Sequence, residues 1–304
     1  MPASFEEILK SRIFKFTVGQ NVDGKPTTFS VHEEAIAALS QPLHALMRSG
    51  LSESESGHAI WEDVSKDTFI RFTQFAYTGD YSVPALAMRV IPAVEDDVIP
   101  GPEPEPEFTI ALDSEPGPSN QFEDCPPAAE ETVPEPMSDW GSFGSVRKMT
   151  KKEAKKKVKV LDVFSTTPLP LLSARNMYED TCEPSSAFKP WCTYSSSFTS
   201  HASLWILGDY RHIESLKALA LHKLHKTLCA FELYSQNVED VIDLVRCAYS
   251  DEGAGLGEGM SGLRRLVCQY LAMNKTLLCQ DDGFMDLLGE GGQFVKDFFK
   301  YSTA

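Results

Sequence analysis

The sequence predicts an α+β protein: a small mixed sheet flanked by short helices, followed by an all-helical C-terminal region. Three observations carry that expectation. Phe14, Phe16 and Val18 alternate along "FKFTVG", the helical run after His32 is interrupted at Pro42, and apolar stripes at three- and four-residue spacing recur after His201. Side chains alternate across a strand but return every third or fourth residue on a helix, so these patterns separate the two element types.

The first block, residues 5–84, opens with a short helix candidate, "SFEEILKS", and then the alternating strand around Phe14. "NVDGKPTTF" holds Asp23-Gly24 and Pro26 and reads as a hairpin loop, with "TFSV" as the returning strand. Ile36, Leu39, Leu43 and Leu46 then form one helical face. Pro42 interrupts it, because a proline removes a backbone donor and clashes with the preceding turn, and Ser40 is placed to cap a second helix. "HAIWEDV" supplies a third short strand. The helix after it has Ser65 as its cap, Phe69, Phe72 and Ala76 on its inner face, and Gly79 at its left-handed end. A block this small is hard to stabilise alone.

Residues 85–200 are different material. From Val94 to Asp139 there is no Lys or Arg, and Pro and Glu dominate without any apolar period. Such a composition buries too little surface to offset chain entropy, and the block is read as a disordered insertion, acidic and then basic. The basic run Arg147 to Lys159, with Lys151, Lys152, Lys155, Lys156 and Lys157 at its centre, has three readings: a nuclear localisation signal, a solvated segment paired with the acidic tract, or a nucleic-acid contact. Trp140 and Phe143 in "DWGSFG" are either anchors for a partner or aromatics without one.

The last block, residues 201–304, is expected to be helical and to pack on the first. Ile213, Leu216, Ala220, Leu224 and Leu228 form one stripe. Asn237 is placed to cap a helix with Val241, Val245 and Ala248 inward. Leu263, Leu266, Val267, Tyr270, Leu271, Asn274 and Leu278 form a further face, and two short helices carrying Phe284, Leu287, Leu288, Phe294, Val295, Phe298 and Phe299 finish the chain.

Composition limits the function classes. The 304 residues carry 44 Asp and Glu against 28 Lys and Arg, a net charge of −16, which disfavours a general nucleic-acid or anionic-membrane surface. Seven scattered cysteines without a Cys-x-x-Cys pair suit a reducing compartment. The N-terminus lacks a signal-peptide h-region, and no apolar run approaches the roughly 18 residues of a membrane span. A protein of the cytoplasm, the nucleus or both is expected.

The order strand, hairpin, strand, two short helices, strand, helix, with the residues "FKFTVG", "FSVHEEAIAALSQPLHALM", "SGLSESES" and "HAIWEDVSKDTFIRFTQFAYTGDYSVP", resembles the BTB/POZ domain family over Ser11 to Pro84. "HASLWILGDYRHIESLKALALHKLHKTL" looks like the helices that follow the BTB core in filamentous-fungal members, where the linker between the two pieces is often long, acidic and lysine-rich. The resemblance implies a non-enzymatic protein-interaction module whose partners are a cullin-type ubiquitin ligase scaffold, a second copy of the chain, or a regulatory protein. It places scaffold contacts in the Ser49 to Ser56 loop, including Gly50, Leu51, Ser52 and Glu53, and in Tyr77, Thr78, Gly79 and Tyr81. Many BTB domains carry an Asp where Ile13 stands here, and in homodimeric members that Asp belongs to a charged groove at the dimer interface. Its absence and the short N-terminal helix weigh against a strand-exchanged dimer. Neither kelch repeats nor paired zinc-finger spacing follows. The alternative is a nuclear transcription or chromatin-associated factor that self-associates through its BTB domain and enters the nucleus by the basic run.

Catalytic and cofactor constellations are not expected. No Gly-x-Ser-x-Gly elbow, His-Glu-x-x-His or phosphate-binding Gly-x-x-x-x-Gly-Lys-Ser/Thr is present. "GAGLGEGMSG" is read as a flexible loop, since Glu252 and Glu258 would repel a phosphate. Cys182, Cys192, His201 and His212 are the right residue types for zinc but lie about ten residues apart, outside the two-to-four spacing of a knuckle. His222 and His225, beside Lys223 and Lys226, are read as a solvated basic helix face rather than a metal site. His32 is read as a local residue that caps the helix start or hydrogen-bonds within the core.

Overall fold

The computed structural model describes residues 4–50, 52–89, 164–173, 182–250 and 261–303. The chain divides into two units, Met1–Val90 with Thr150–Ala304, and Ile91–Met149, and every described residue belongs to the first.

The α+β class is observed. α1 (Phe5–Lys10) starts at a reciprocal cap, in which Ser4 Oγ accepts from the Glu7 N–H and the Glu7 carboxylate accepts from the Ser4 N–H. β1 (Ile13–Val18) and β2 (Thr27–His32) form the expected hairpin, with Phe14 opposite Val31 and Phe16 opposite Phe29. The turn depends on Gly19 at φ +83°: a Cβ there would lie 2.5 Å from Asp23 Oδ2, the oxygen that accepts the Lys66 N–H. β3 (His58–Trp61) lies parallel to β1, giving the sheet order β2-β1-β3. Phe14, Phe16, Val18, Val31, Ala59 and Trp61 are buried, while Ile13, Lys15, Thr28, Ser30 and Ile60 are exposed.

The helical run after the hairpin is two helices, α2 (Glu33–Ala37) and α3 (Gln41–Arg48). Pro42 falls in the first turn of α3, where its missing N–H would have had no helical partner, and Ser40 Oγ accepts from the Leu43 N–H at 3.3 Å. Pro42 therefore starts α3 as much as it ends α2. α4 (Ser52–Ser56) is a short helix inside the segment read from sequence as a loop. α5 (Lys66–Thr78) has the expected cap, Ser65 Oγ accepting from the Thr68 N–H, and ends at Gly79 with φ +77°. His32 occupies the start of α2, but its side chain caps nothing. Its Nδ1 and its backbone N–H both meet the Tyr77 hydroxyl, at 2.9 and 2.8 Å.

The reading of 85–200 as one disordered insertion is corrected at both ends. β4 (Ala87–Met88) pairs antiparallel with β5 (Cys192–Thr193), and Phe164, Tyr194 and Phe198 are buried in the core. Arg89 fastens the pair: it donates to Asp240 Oδ2 at 2.7 Å, to the Gln236 carbonyl at 2.8 Å and to the Cys192 carbonyl, while Thr193 Oγ1 donates to Asp240 Oδ1. The helical region starts at α6 (Ser195–Tyr210), six residues before His201, and continues through α7 (Glu214–Ala230), α8 (Val238–Ala248), α9 (Gly262–Met273), α10 (Lys275–Leu278), α11 (Asp282–Gly289) and α12 (Gly292–Ser302). The predicted inward residues of α7, α8 and α9 are buried, and Phe284, Leu287, Phe294 and Phe298 close the far end, with Phe299 left exposed. Asn237 stands at the start of α8, but its side chain serves the preceding turn, accepting from the Tyr234 N–H and donating to the Glu232 carbonyl.

One core runs through both regions. Arg211, at the end of α6, lies over the Trp61 ring at 4.1 Å. The second joint contradicts the reading of α7 as a solvated basic face: Lys223 is fully buried. Its Nζ donates to Asp80 Oδ1 and to the Tyr81 carbonyl, both at 2.5 Å, and lies 4.1 Å from the centre of the Tyr81 ring. Tyr81 Oη in turn meets His201 Nδ1 at 2.9 Å. His225 is buried too, with Nε2 against the Phe164 carbonyl at 2.8 Å. Lys226 alone keeps substantial exposure, paired with Glu183.

Lys223→Met removes the ammonium from a buried carboxylate and is expected to lower unfolding free energy by about 3–5 kcal/mol. Chemical denaturation should show Lys223→Met with Asp80→Asn costing less than the sum of the two single changes. Burial, reinforced by the charges of Lys223 and Arg71, pushes His201 down to about 3. The unfolded imidazole takes up its proton near pH 6.5, so between those values the unfolded chain binds a proton that the fold refuses. The His201 contribution is therefore complete above about pH 6.5 and lost as pH falls toward 3, at up to about 1.4 kcal/mol per pH unit. His201→Gln should flatten that part of the stability profile relative to the unsubstituted chain.

Candidate functional site

The segment Ser49 to Ser56 is held from below by a buried charge. Glu33, at the start of α2, is 5% exposed and accepts from the Arg12 guanidinium and from Arg48 Nε, the latter at 2.6 Å. Arg48 also reaches Glu34. Burial alone would raise the Glu33 carboxyl, but the hydrogen bonds and charges of Arg12 and Arg48 outweigh it and hold the group below the usual carboxylate range. Arg12 spends its remaining donors on backbone, giving Nη2 to the Met47 carbonyl at 2.6 Å and Nη1 to the Ser54 carbonyl at 3.0 Å. A planar guanidinium with five donors is suited to this task, since it fixes a carboxylate and two helix-end carbonyls at once. The strand start, the end of α3 and α4 are thereby locked together.

On that support Ser49 ends α3 and Gly50 takes φ +77°. Ser52 and Glu53 start α4, with Ser52 Oγ donating to the Glu53 carboxylate, and Leu51 lies outside the described residues. The second predicted segment is divided by burial. Tyr77, Thr78 and Gly79 keep partial exposure at the end of α5, but Tyr81 has none, because its ring and hydroxyl are consumed by Lys223 and His201. Tyr81 is therefore removed from the contact surface. No hydrogen bond or ion pair among the described residues joins the two segments. The basic run with Lys151, Lys152, Lys155, Lys156 and Lys157, and Trp140 with Phe143, lie outside the described residues.

Beside this corner the molecule exposes apolar side chains, of which the sequence reading singled out Ile13 but neither Phe5 nor Leu9. Phe5 and Leu9, four apart on one face of α1, are 63% and 53% exposed, and Ile13 at the start of β1 is 52% exposed. The signal was present: α1 is amphipathic, with Ile8 turned inward and Phe5 and Leu9 left on another face.

Residues of catalytic or metal-binding type are dispersed. Cys192 sits in β5, His201 is bound to Tyr81, and His212 occupies an exposed turn with φ +53°. Among the described residues no group of three or more His, Cys, Asp or Glu is placed to hold a metal ion, and no helix is long and apolar enough to cross a membrane. Burial raises the Cys229 thiol, the direction opposite to an activated nucleophile, and the nearby His225 Nε2 already faces the Phe164 carbonyl. No family model, curated protein or solved structure matches the chain.

Glu33→Gln tests the support. It is expected to cost about 1–2 kcal/mol, the exposure of Arg12 keeping it below the cost of a fully buried pair. Amide hydrogen exchange should quicken in Ser52 to Ser56 while the α6 and α7 amides are unchanged.

Proposed function

We propose that the chain is a non-enzymatic protein-interaction module of BTB/POZ type, acting as a substrate adaptor for a cullin-type ubiquitin ligase. The observation that carries the interaction reading is the exposed pair Phe5 and Leu9 on α1, with Ile13 exposed at the start of β1, next to a corner braced by Arg12, Glu33 and Arg48. Large apolar side chains at helical spacing are poorly placed in water and gain by burial against another protein surface. The adaptor assignment rests on the resemblance over Ser11 to Pro84, and it puts the scaffold contact at Ser49 to Glu53 and the exposed end of α5.

Affinity purification of the intact protein with quantitative mass spectrometry tests this reading. A cullin scaffold is expected among the recovered proteins, reduced at least about tenfold by Phe5→Asp with Leu9→Asp or by Glu53→Lys, the size of effect typical for central interface residues. If no ligase component is recovered, the adaptor reading falls. Recovery of differently tagged copies of the same chain would support self-association in its place.

A second reading, a nuclear transcription or chromatin-associated factor, is favoured by the basic run. It expects nuclear retention that is lost when Lys151, Lys152, Lys155, Lys156 and Lys157 are neutralised. A purely cytosolic distribution of the unsubstituted protein contradicts it.

A further inference from the structure

The outer edge of β2 leaves backbone groups without partners among the described residues. In an antiparallel pair the residues alternate between those that exchange hydrogen bonds with the neighbour and those that point away from it. The Glu33 N–H donates to the Arg12 carbonyl at 2.9 Å, in register with Phe14 opposite Val31 and Phe16 opposite Phe29. The groups of Thr28, Ser30 and His32 therefore point away from β1. Two contacts agree with that phase: the His32 N–H reaches the Tyr77 hydroxyl, and on β1 the Lys15 N–H reaches the Gly57 carbonyl on the β3 side. The N–H and C=O groups of Thr28 and Ser30 have no partner among the described residues. Directly beside this edge, between β2 and α5, lies an open cleft of about 440 Å³, lined by Phe29, Ser30, Val31, Ile70 and Tyr77 among others and by no charged side chain. Ile70 is 41% exposed at its wall.

We propose that this edge and cleft form a binding site for an extended peptide, which adds as a fourth strand beside β2 and places uncharged apolar side chains from alternate positions into the cleft. The edge selects an extended backbone, because only a strand offers donors and acceptors at the spacing of Thr28 and Ser30. The lining selects the side chains: nothing in it neutralises a charge, whereas Phe29, Ile70 and Tyr77 gain from apolar cover. A second copy of the chain does not fit. Its own β2 would bring Val31, buried at 6% exposure, and Phe29, partly buried with its ring centre 5.1 Å from that of Phe69, both packed beneath their own sheet. A helical partner would leave the four edge groups to water. The site is separate from the Phe5–Leu9 face and does not rest on the adaptor reading.

The probe is a fluorophore-labelled heptapeptide, Lys-Val-Thr-Val-Thr-Val-Lys, titrated against the full chain by fluorescence anisotropy. Two further versions are N-methylated, one on the three valines and one on the two threonines, so that each blocks a single edge of the added strand. Binding is expected for the parent peptide. One methylated version should weaken it at least about tenfold and the other leave it unchanged, since only one edge faces β2. Ser30→Pro, which removes an outward N–H that the fold does not use, and Ile70→Glu, on an exposed wall, should each weaken binding to a similar degree, with Ser30→Ala as the neutral control. The methylation contrast uses the unsubstituted protein, so it stands even if a variant misfolds. Absence of binding by the parent peptide, equal behaviour of the two methylated versions, or indifference to both Ser30→Pro and Ile70→Glu in folded protein each overturns the proposal.

Discussion

A lysine ammonium with no exposed surface holds the two regions of this protein in one register. Lys223 comes from the middle of α7, and its acceptors, Asp80 and the Tyr81 carbonyl, come from the turn that ends α5, more than 140 residues earlier. Removing both charges from water is costly, so the pair is a poor source of net stability compared with apolar packing. Its consequence is specificity. α7 can seat on the end of α5 only where Nζ finds both oxygens, because any shift along the helix strands a buried charge. Tyr81 then carries the constraint onward, its ring under the ammonium and its hydroxyl on His201, so that α6 is positioned by the same contact.

Once the joint is set, the remaining faces are decided by subtraction. The core side of the sheet is filled by Phe14, Phe16, Val31, Trp61 and the aromatic face of α5, with Trp61, Phe69 and Phe72 ring centres within about 6 Å of one another. Arg211 over Trp61 ties the end of α6 to β3. Around the sheet, the far side of α1, the Ser49 to Ser56 corner and the edge of β2 stay open to solvent. The corner is rigid because Glu33 is locked by two arginines, and the edge is open because β2 terminates the sheet. Rigidity beside exposed apolar surface favours binding, since little ordering entropy is lost on contact.

The periodic elements of this fold are legible residue by residue. β1 and β2 were readable because Phe14, Phe16 and Val18 repeat at the period of a strand, and Asp23-Gly24 marks the turn between them. Ser40, Ser65 and Gly79 marked helix ends through local hydrogen bonds and a left-handed backbone, which need no information from elsewhere in the chain. β4 and β5 were not readable, since two residues carry no period and their pairing spans a segment whose Ser and Pro content masked Tyr194 and Phe198 as core. Lys223 is the residue whose type misleads. Its position carried the signal, lying on the same inward row as Leu216, Ala220 and Thr227, but a charged residue there has meaning only if a carboxylate faces it.

The sequence by itself determined β1 to β3, the helices α2, α3, α5, α7, α8 and α9, the helix ends at Ser40, Ser65 and Gly79 and the apolar inward faces, all of which follow from interactions within a few residues of the chain. The tertiary structure alone decided that Tyr81 and Lys223 are core, that Arg89 and Asp240 close the long excursion between β4 and β5, and that the corner at Glu33 is braced. Each of those outcomes depends on a partner well beyond the local turn, from 15 residues away at Glu33 to 151 at Arg89. A residue's own chemistry states what partner it requires, and only the packed fold states which partner it meets.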